Sequence, residues 1–262
     1  MSSVKKRPVA LSIAGSDSGG GAGVQADLKT FAHFQVHGTC AITCLTAQNP
    51  QQVTAIQPTR RDVLRAQIGA VFDRLKPAAV KTGMLYSETL IQCVADSPAS
   101  AGQLVVDPVM VATSGAQLLK PRAIRVLKQE LLPLAKLVTP NLDETELLLG
   151  AAIQSIEDAK AAAREIHARW GCAALVKGGH RDSSESTDVL FDGKRISLHR
   201  ARRIPGAETH GTGCSLSAAI AANLALGKNL TAAVRAAKKF ITAAIEQRYR
   251  AGRHAHLEHF PR

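Results

Sequence analysis

The residues best suited to chemistry stand in one short run, Thr209-His210-Gly211-Thr212-Gly213-Cys214-Ser215-Leu216-Ser217. Small residues there lead straight into an Ala-rich apolar stretch, so a helix is expected over 213–226. The first N–H groups of a helix have no partner within it, and together they form an anion site. The backbone N–H groups of residues 211–214 would converge in that way. Cys214 would sit in the same first turn, where the helix field lowers a thiol pKa. A thiolate beside a phosphate hole can accept a hydroxyl proton. The competing reading is a small buried cysteine, the common fate of free Cys.

Other polar residues follow directly after strand-like runs. VALSIAG (9–15) is followed by a loop, 16–23, and the glycines from Gly15 to Gly23 allow a ligand to approach backbone closely. This loop lacks G-x-G-x-x-G, and G-x-x-x-x-G-K-[ST] occurs nowhere, so neither a dinucleotide fingerprint nor a P-loop is present. Asp27, one turn into the next helix, either faces the loop or is a first-turn helix acid. CAITCLTA (40–47) ends at Gln48, whose amide both donates and accepts. That suits an aminopyrimidine or pyridine edge, and equally an exposed turn. AAVKTG (78–83) leads to Met84, and LVVD (104–107) leads to Pro108, Val109 and Met110. Asp107, held by the following proline, could ligate a metal or a phosphate-bound water. KLVT (136–139) precedes Asn141 and Glu144, three apart, which can form a capping box or bind hydrated Mg²⁺. AALVKGG (173–179) ends in Lys177-Gly178-Gly179, a lysine with little steric cover and able to reach phosphate.

Helical periodicity fills the intervals at 23–34, 60–75, 87–95, 121–132, 143–149 and 157–169, and a last helix is expected at 230–248. Residues 187–199 read as a hairpin turning at Asp192-Gly193. Strands alternating with helices predict a doubly wound, mostly parallel α/β sheet with helices on both faces. No linker or repeat divides residues 1–262, so one domain is expected, with a small β flap near 48–57. Ligands in such sheets bind at the carboxyl ends of the strands, where all these polar residues fall.

The chain of 262 residues is 45% hydrophobic and 21% charged, which excludes a disordered chain. No apolar run reaches the ~18–20 residues that span a bilayer. Five cysteines without C-x-x-C predict a reducing, cytoplasmic setting. The net charge is +12, of which +5 falls in residues 235–262, read as a solvated face. His254, His256 and His259 are likewise expected at the surface. Basic charge also invites a non-catalytic nucleic-acid-binding reading, but nine aromatics in the whole chain offer few platforms for base stacking, so no nucleic-acid partner is expected.

The motifs AGSDSGGGAGVQADLKTF, LTAQN, KTGML, VVDPVM, TPNLDE, VKGGH and HGTGCSLSAA occur in this order between about residues 8 and 245. Together they resemble the ribokinase superfamily, and within it the hydroxymethylpyrimidine/phosphomethylpyrimidine kinases of thiamine biosynthesis. The resemblance implies a ribokinase-like fold and ATP-dependent phosphorylation of a pyrimidine alcohol and its monophosphate. It implies that Gly211, Thr212 and Gly213 form the anion hole and that Cys214 is the catalytic base. Lys177, Asn141, Glu144, Gly179 and Asp107 would serve ATP, with Asp107 and Glu144 holding Mg²⁺ through water. Gln48, Asp27, Ala22, Gly15, Met84 and Val109 would line the pyrimidine pocket. Cysteine-containing bacterial pyridoxal kinases share G-x-G-C, and Gln48 favours the pyrimidine kinases over them. The tail AGRHAHLEHF lacks the Gly-Pro ending often seen in the family. A homodimer is the expected assembly, with no membrane partner.

Overall fold

A computed structural model of the chain describes residues 5–111, 118–178, 185–206 and 210–262. The chain starts with β1 (Val9–Asp17), α1 (Gly23–His33), β2 (His37–Gln48) and β3 (Val53–Pro58). Then come α2 (Arg61–Arg74), β4 (Ala79–Thr82), α3 (Glu88–Ala95), β5 (Leu104–Val106) and α4 (Pro121–Val126). β6 (Leu137–Val138), α5 (Leu142–Leu149), α6 (Ile156–Trp170) and β7 (Ala173–Val176) follow. The last elements are β8 (Glu185–Phe191), β9 (Ile196–Arg202), α7 (Thr212–Ala225), α8 (Leu230–Glu246), β10 (Tyr249–Ala251) and β11 (His254–His256).

Nine strands form one sheet in the order β3-β2-β1-β4-β5-β6-β7-β8-β9. The central six, β2-β1-β4-β5-β6-β7, are parallel, while β3 and β8 pair antiparallel to the two ends of this set and β9 pairs antiparallel to β8. The expected flap is β3, which pairs with the end of β2 and extends the sheet. The chain winds outward from β1 to β2 and returns to β4, so the strand order reverses between β1 and β4. In doubly wound sheets that switch point opens a ligand crevice at the carboxyl ends.

Two apolar layers cover the sheet. Leu11, Ile13, Val80, Leu104 and Val106 meet α2, α3, α5 and α6 through Leu64, Ile68, Ile91, Leu148 and Ile166. On the other face Ala10, Val105, Leu137 and Leu175 meet α1, α7 and α8 through Phe31, Ile220, Val234 and Ile241. The second layer uses Ala218, Ala219, Ala221 and Ala222 on α7, and such small side chains let that helix lie close to the strands.

Local chemistry sets the element ends. Asn141 and Glu144 form a full capping box at the start of α5, as do Ser155 and Asp158 at α6. Asp192 accepts the Lys194 and Arg195 amides and turns the β8–β9 hairpin where the sequence placed it. The helix expected over 121–132 differs: α4 stops at Val126 and continues as a wide turn over Leu127–Leu131 and a tight one over Leu132–Leu134. Pro133 has no N–H to carry a regular ladder further.

Candidate active site

The glycine loop after β1 is organised by a carboxylate. Asp17 Oδ1 accepts the Gly19 amide at 2.8 Å, and Oδ2 accepts those of Gly21 and Ala22 at 3.1 and 2.8 Å. His210 Nε2 lies 3.2 Å from the same Oδ2, so one side chain ties this loop to the residue before the α7 start. Burial would raise the Asp17 pKa, but the His210 contact and the Gly19 and Ala22 amides outweigh it and hold the carboxyl below its ordinary value.

The loop and the start of α7 touch through backbone. Gly211 has φ +82°, and a side chain there would collide with the Gly21 carbonyl. Gly23, with φ +57°, would likewise collide with the Gly15 carbonyl. The N-termini of α1 and α7 therefore meet, and the Gly23 amide is directed at Cys214. Gly211 caps α7, which begins at Thr212, so the amides of its first turn have no acceptor within the helix until the Ser215 amide reaches the Gly211 carbonyl. The thiol departs from expectation. Burial pushes Cys214 up to about 11, with Asp27 and Asp107 adding to the rise, against the opposing pull of Lys81 and the Gly23 amide. Desolvation outweighs the helix field, and the resting group is a thiol.

Behind the helix start lies a row of alternating charges. Lys177 Nζ pairs with Asp107 Oδ1 at 3.1 Å, and a methyl group at Gly213 would lie 3.2 Å from Lys177 Nζ and 3.7 Å from Asp107 Oδ2. Asp107 also accepts from Thr139 and Ser217. Glu144 is buried; Oε1 accepts the Met110 amide and Oε2 the Asn141 amide. Burial raises its pKa, opposed by the nearby Lys177 and reinforced by Asp107. The strand bridge between Asn141 and Lys177 holds the two loops together.

Beneath the α1 side, Lys81 Nζ pairs with both Asp27 oxygens at 2.8 and 3.0 Å, and Ser12 donates to Asp27. Lys81 and Asp27 are fully buried. Burial disfavours the charged form of both groups and raises the Asp27 carboxyl, but the facing Asp27 carboxylate, helped by Asp107, raises Lys81 above the ordinary lysine value. We therefore read the pair as ionised.

The residues expected to line a pyrimidine pocket gather around the switch point, with one exception. Gln48 ends β2, where Thr46 donates to its Oε1 and Ser18 bonds its backbone. Gly15 packs against Cys44 and Met84, and the Met84 carbonyl accepts from Thr43. Ala22 caps α1 beside Asp17. Val109 has φ +39°, rare for a β-branched residue, and is held there between Asp107 and Met110. Asp27 is the exception: it lies below the loop with its carboxylate given to Lys81 and Ser12. Gly179 lies outside the described residues.

Comparison with known proteins identifies these features. The family model described as phosphomethylpyrimidine kinase matches residues 17–259. A hydroxymethylpyrimidine/phosphomethylpyrimidine kinase of Rhizobium meliloti (strain 1021) is 52% identical over 239 residues, 90% of each chain. A phosphomethylpyrimidine kinase crystal structure from Clostridium difficile 630 superposes with a TM-score of 0.82 at 40% identity, covering 92% of this chain and 100% of that one. The ADP complex of Bacillus subtilis pyridoxal kinase superposes with a TM-score of 0.90 at 37% identity, covering 97% and 98%. The chain belongs to the phosphomethylpyrimidine kinase family. It is a phosphotransferase with a ribokinase-like fold.

Several residues of this kinase site escaped the sequence reading. Asp17 carried a signal, an acid just ahead of a glycine-rich loop, three of whose amides its carboxylate takes. Lys81 carried another: a lysine inside an apolar strand requires a buried counter-charge. The tail needs two corrections. His259 is buried, 5% exposed, with Nε2 3.1 Å from Ser215 Oγ, and His254 and His256 are half-buried. Lys238, counted in the solvated basic face, is buried and paired with Asp188 at 2.8 Å. Among the described residues no helix is long and apolar enough to cross a membrane.

Proposed function

We propose that the chain transfers the γ-phosphoryl group of ATP to 4-amino-5-hydroxymethyl-2-methylpyrimidine and then to its monophosphate, giving the diphosphate used in thiamine biosynthesis. The observation that carries this reading is the convergence of the α7 start, Lys177 and Asp107 at one point beside the glycine loop. Phosphoryl transfer asks mainly for positioning and charge neutralisation. The first-turn amides take the charge building on the transferred group, and Lys177 adds a cation behind them. Cys214 removes the hydroxyl proton. Its resting thiol must first lose its own, so the unliganded enzyme gains activity as pH rises.

Mg²⁺ fits this donor set only as a hydrated ion. Among the described residues no group of three or more His, Cys, Asp or Glu could hold a metal. Asp107 and Glu144 are oxygen donors already engaged by the protein, which suits contact through water and the nucleotide phosphates. When bound, Mg²⁺ supplies neutralisation of phosphate charge. Gln48, Ala22, Gly15, Met84 and Val109 hold the pyrimidine.

Incubation with Mg²⁺-ATP and the alcohol, then with the monophosphate, tests the proposal by ³¹P NMR of the products. Stepwise appearance of mono- and diphosphate supports it, and absence of both overturns it. Structural likeness to pyridoxal kinases supports a second reading, phosphorylation of pyridoxal at the same site. The same assay with pyridoxal measures that activity.

A further inference from the structure

The C-terminal segment reaches the site from outside the motif pattern. After α8 the hairpin β10–β11 reverses the chain, and the Glu258 amide donates to the Ala244 carbonyl. Leu257 is buried in the α7–α8 layer and anchors the return. His259 then places Nε2 3.1 Å from Ser215 Oγ, and both residues are buried. In the neutral ring Nε2 can accept from the Ser215 hydroxyl. Burial, assisted by the nearby Lys29, holds His259 down to about 4, so the neutral ring that can accept is the form present at neutral pH.

Ser215 follows Cys214 directly, and its amide closes the first hydrogen bond of α7 to Gly211. Ser217, half a turn on, bonds Asp107 and the Gly213 carbonyl. The anion-hole turn is thus fastened from the sheet by Ser217 and from the tail by Ser215. The tail also approaches the glycine loop: His256 Nδ1 would lie 3.7 Å from a methyl group at Gly21.

We propose that His259 is a positioning residue for phosphoryl transfer, acting through Ser215 to fix the first turn of α7 against the glycine loop. The proposal rests on the kinase reading above. His259 touches no reacting atom, so its loss misplaces the amides and Cys214 while leaving the pyrimidine wall intact.

The test compares His259→Leu, His259→Gln, Ser215→Ala and the double variant Ser215→Ala/His259→Leu. His259→Leu and Ser215→Ala should each lower kcat roughly ten-fold, with KM for the pyrimidine within roughly two-fold, since small misplacements are costly to rate. Gln can accept from Ser215 and should recover most of the rate. The double variant should be no slower than either single one, because one bond is lost in all three. Phe260→Ala, an exposed tail residue, should leave kcat unchanged and separates this contact from general tail loosening. Unchanged kcat in Ser215→Ala, or losses that multiply in the double variant, would overturn the proposal. Ser215→Ala keeps the tail packing, so it reads the contact even where His259→Leu folds poorly. Hydrogen exchange at the amides of 213–215 should quicken in both single variants. That readout is independent of substrate, so it stands apart from failure of the kinase reading.

Discussion

On one face of the sheet, α2 to α6 press Leu, Ile and Val side chains against Leu11, Ile13, Leu104 and Val106. On the other, α1, α7 and α8 cover Ser12, Lys81, Asp188 and His199, whose charged or polar groups find Asp27 on α1 and Lys238 on α8. Both sides of the strands are packed with apolar side chains, and the second also carries ion pairs in fixed positions. Apolar packing is tolerant of small changes, whereas a buried charge is stable only while its partner is present. The polar face is also the one on which α1 and α7 start at the switch point. The Lys81–Asp27 pair lies close enough to Cys214 to act on its thiol. Stability is therefore spread over both faces, while the chemistry depends on the second.

The polar face is most sensitive at Lys81. Lys81→Met leaves Asp27 buried and unpaired and should cost about 3–5 kcal/mol in urea unfolding. Adding Asp27→Leu should recover a large part of that loss. Recovery of none would mean the pair is not the cause. Next in size is Cys214→Ala, which should lower kcat by about two decades or more, the range of general-base loss, while calorimetry still shows ATP binding. Cys214 pushed up to about 11 has a further consequence: kcat/KM should rise with pH across about 7–9 in the native chain and flatten in Cys214→Asp. A flat native profile would exclude the thiol as base.

The apolar face supplies the contrast. Ile91→Val on α3 should cost about 0.5–1.5 kcal/mol and leave kcat unchanged, as a methylene loss in a distributed core. A changed kcat would show that the two faces are coupled. The smallest effect concerns acid. His259, facing Lys29, Glu258, His33 and Ser215, is depressed to about 4 by burial, so the unfolded chain binds its proton first as pH falls. Its contribution is complete above about pH 6.5 and is lost on the way to about 4. His33 and His199, also lowered by burial, add the same sign. The thermal midpoint should therefore decline over that window, and less steeply in His259→Gln.

Sequence patterns revealed the alternating elements, the strand-end motifs and the α7 start because each rests on local periodicity or on glycine and small-residue spacing. Asn141 and Glu144 were legible as a capping box for the same reason. What stayed hidden was set by distance along the chain. Asp27 finds Lys81 54 residues away, and Asp17 finds His210 193 residues away, so neither pairing leaves a trace in spacing. The lowered pKa expected for Cys214 followed from helix position alone, and burial reversed it. His259 looked like surface because a basic, His-rich tail ordinarily is. One leucine, Leu257, buried against α7 and α8, brings it inside.

The most direct test of the central claim is kcat/KM of the native chain with Mg²⁺-ATP, measured side by side on the hydroxymethylpyrimidine alcohol and on pyridoxal. Gln48 and the β2 end should favour the pyrimidine by about ten-fold or more, in the range of one well-placed polar contact. Equal values, a preference for pyridoxal, or turnover of neither would contradict the account.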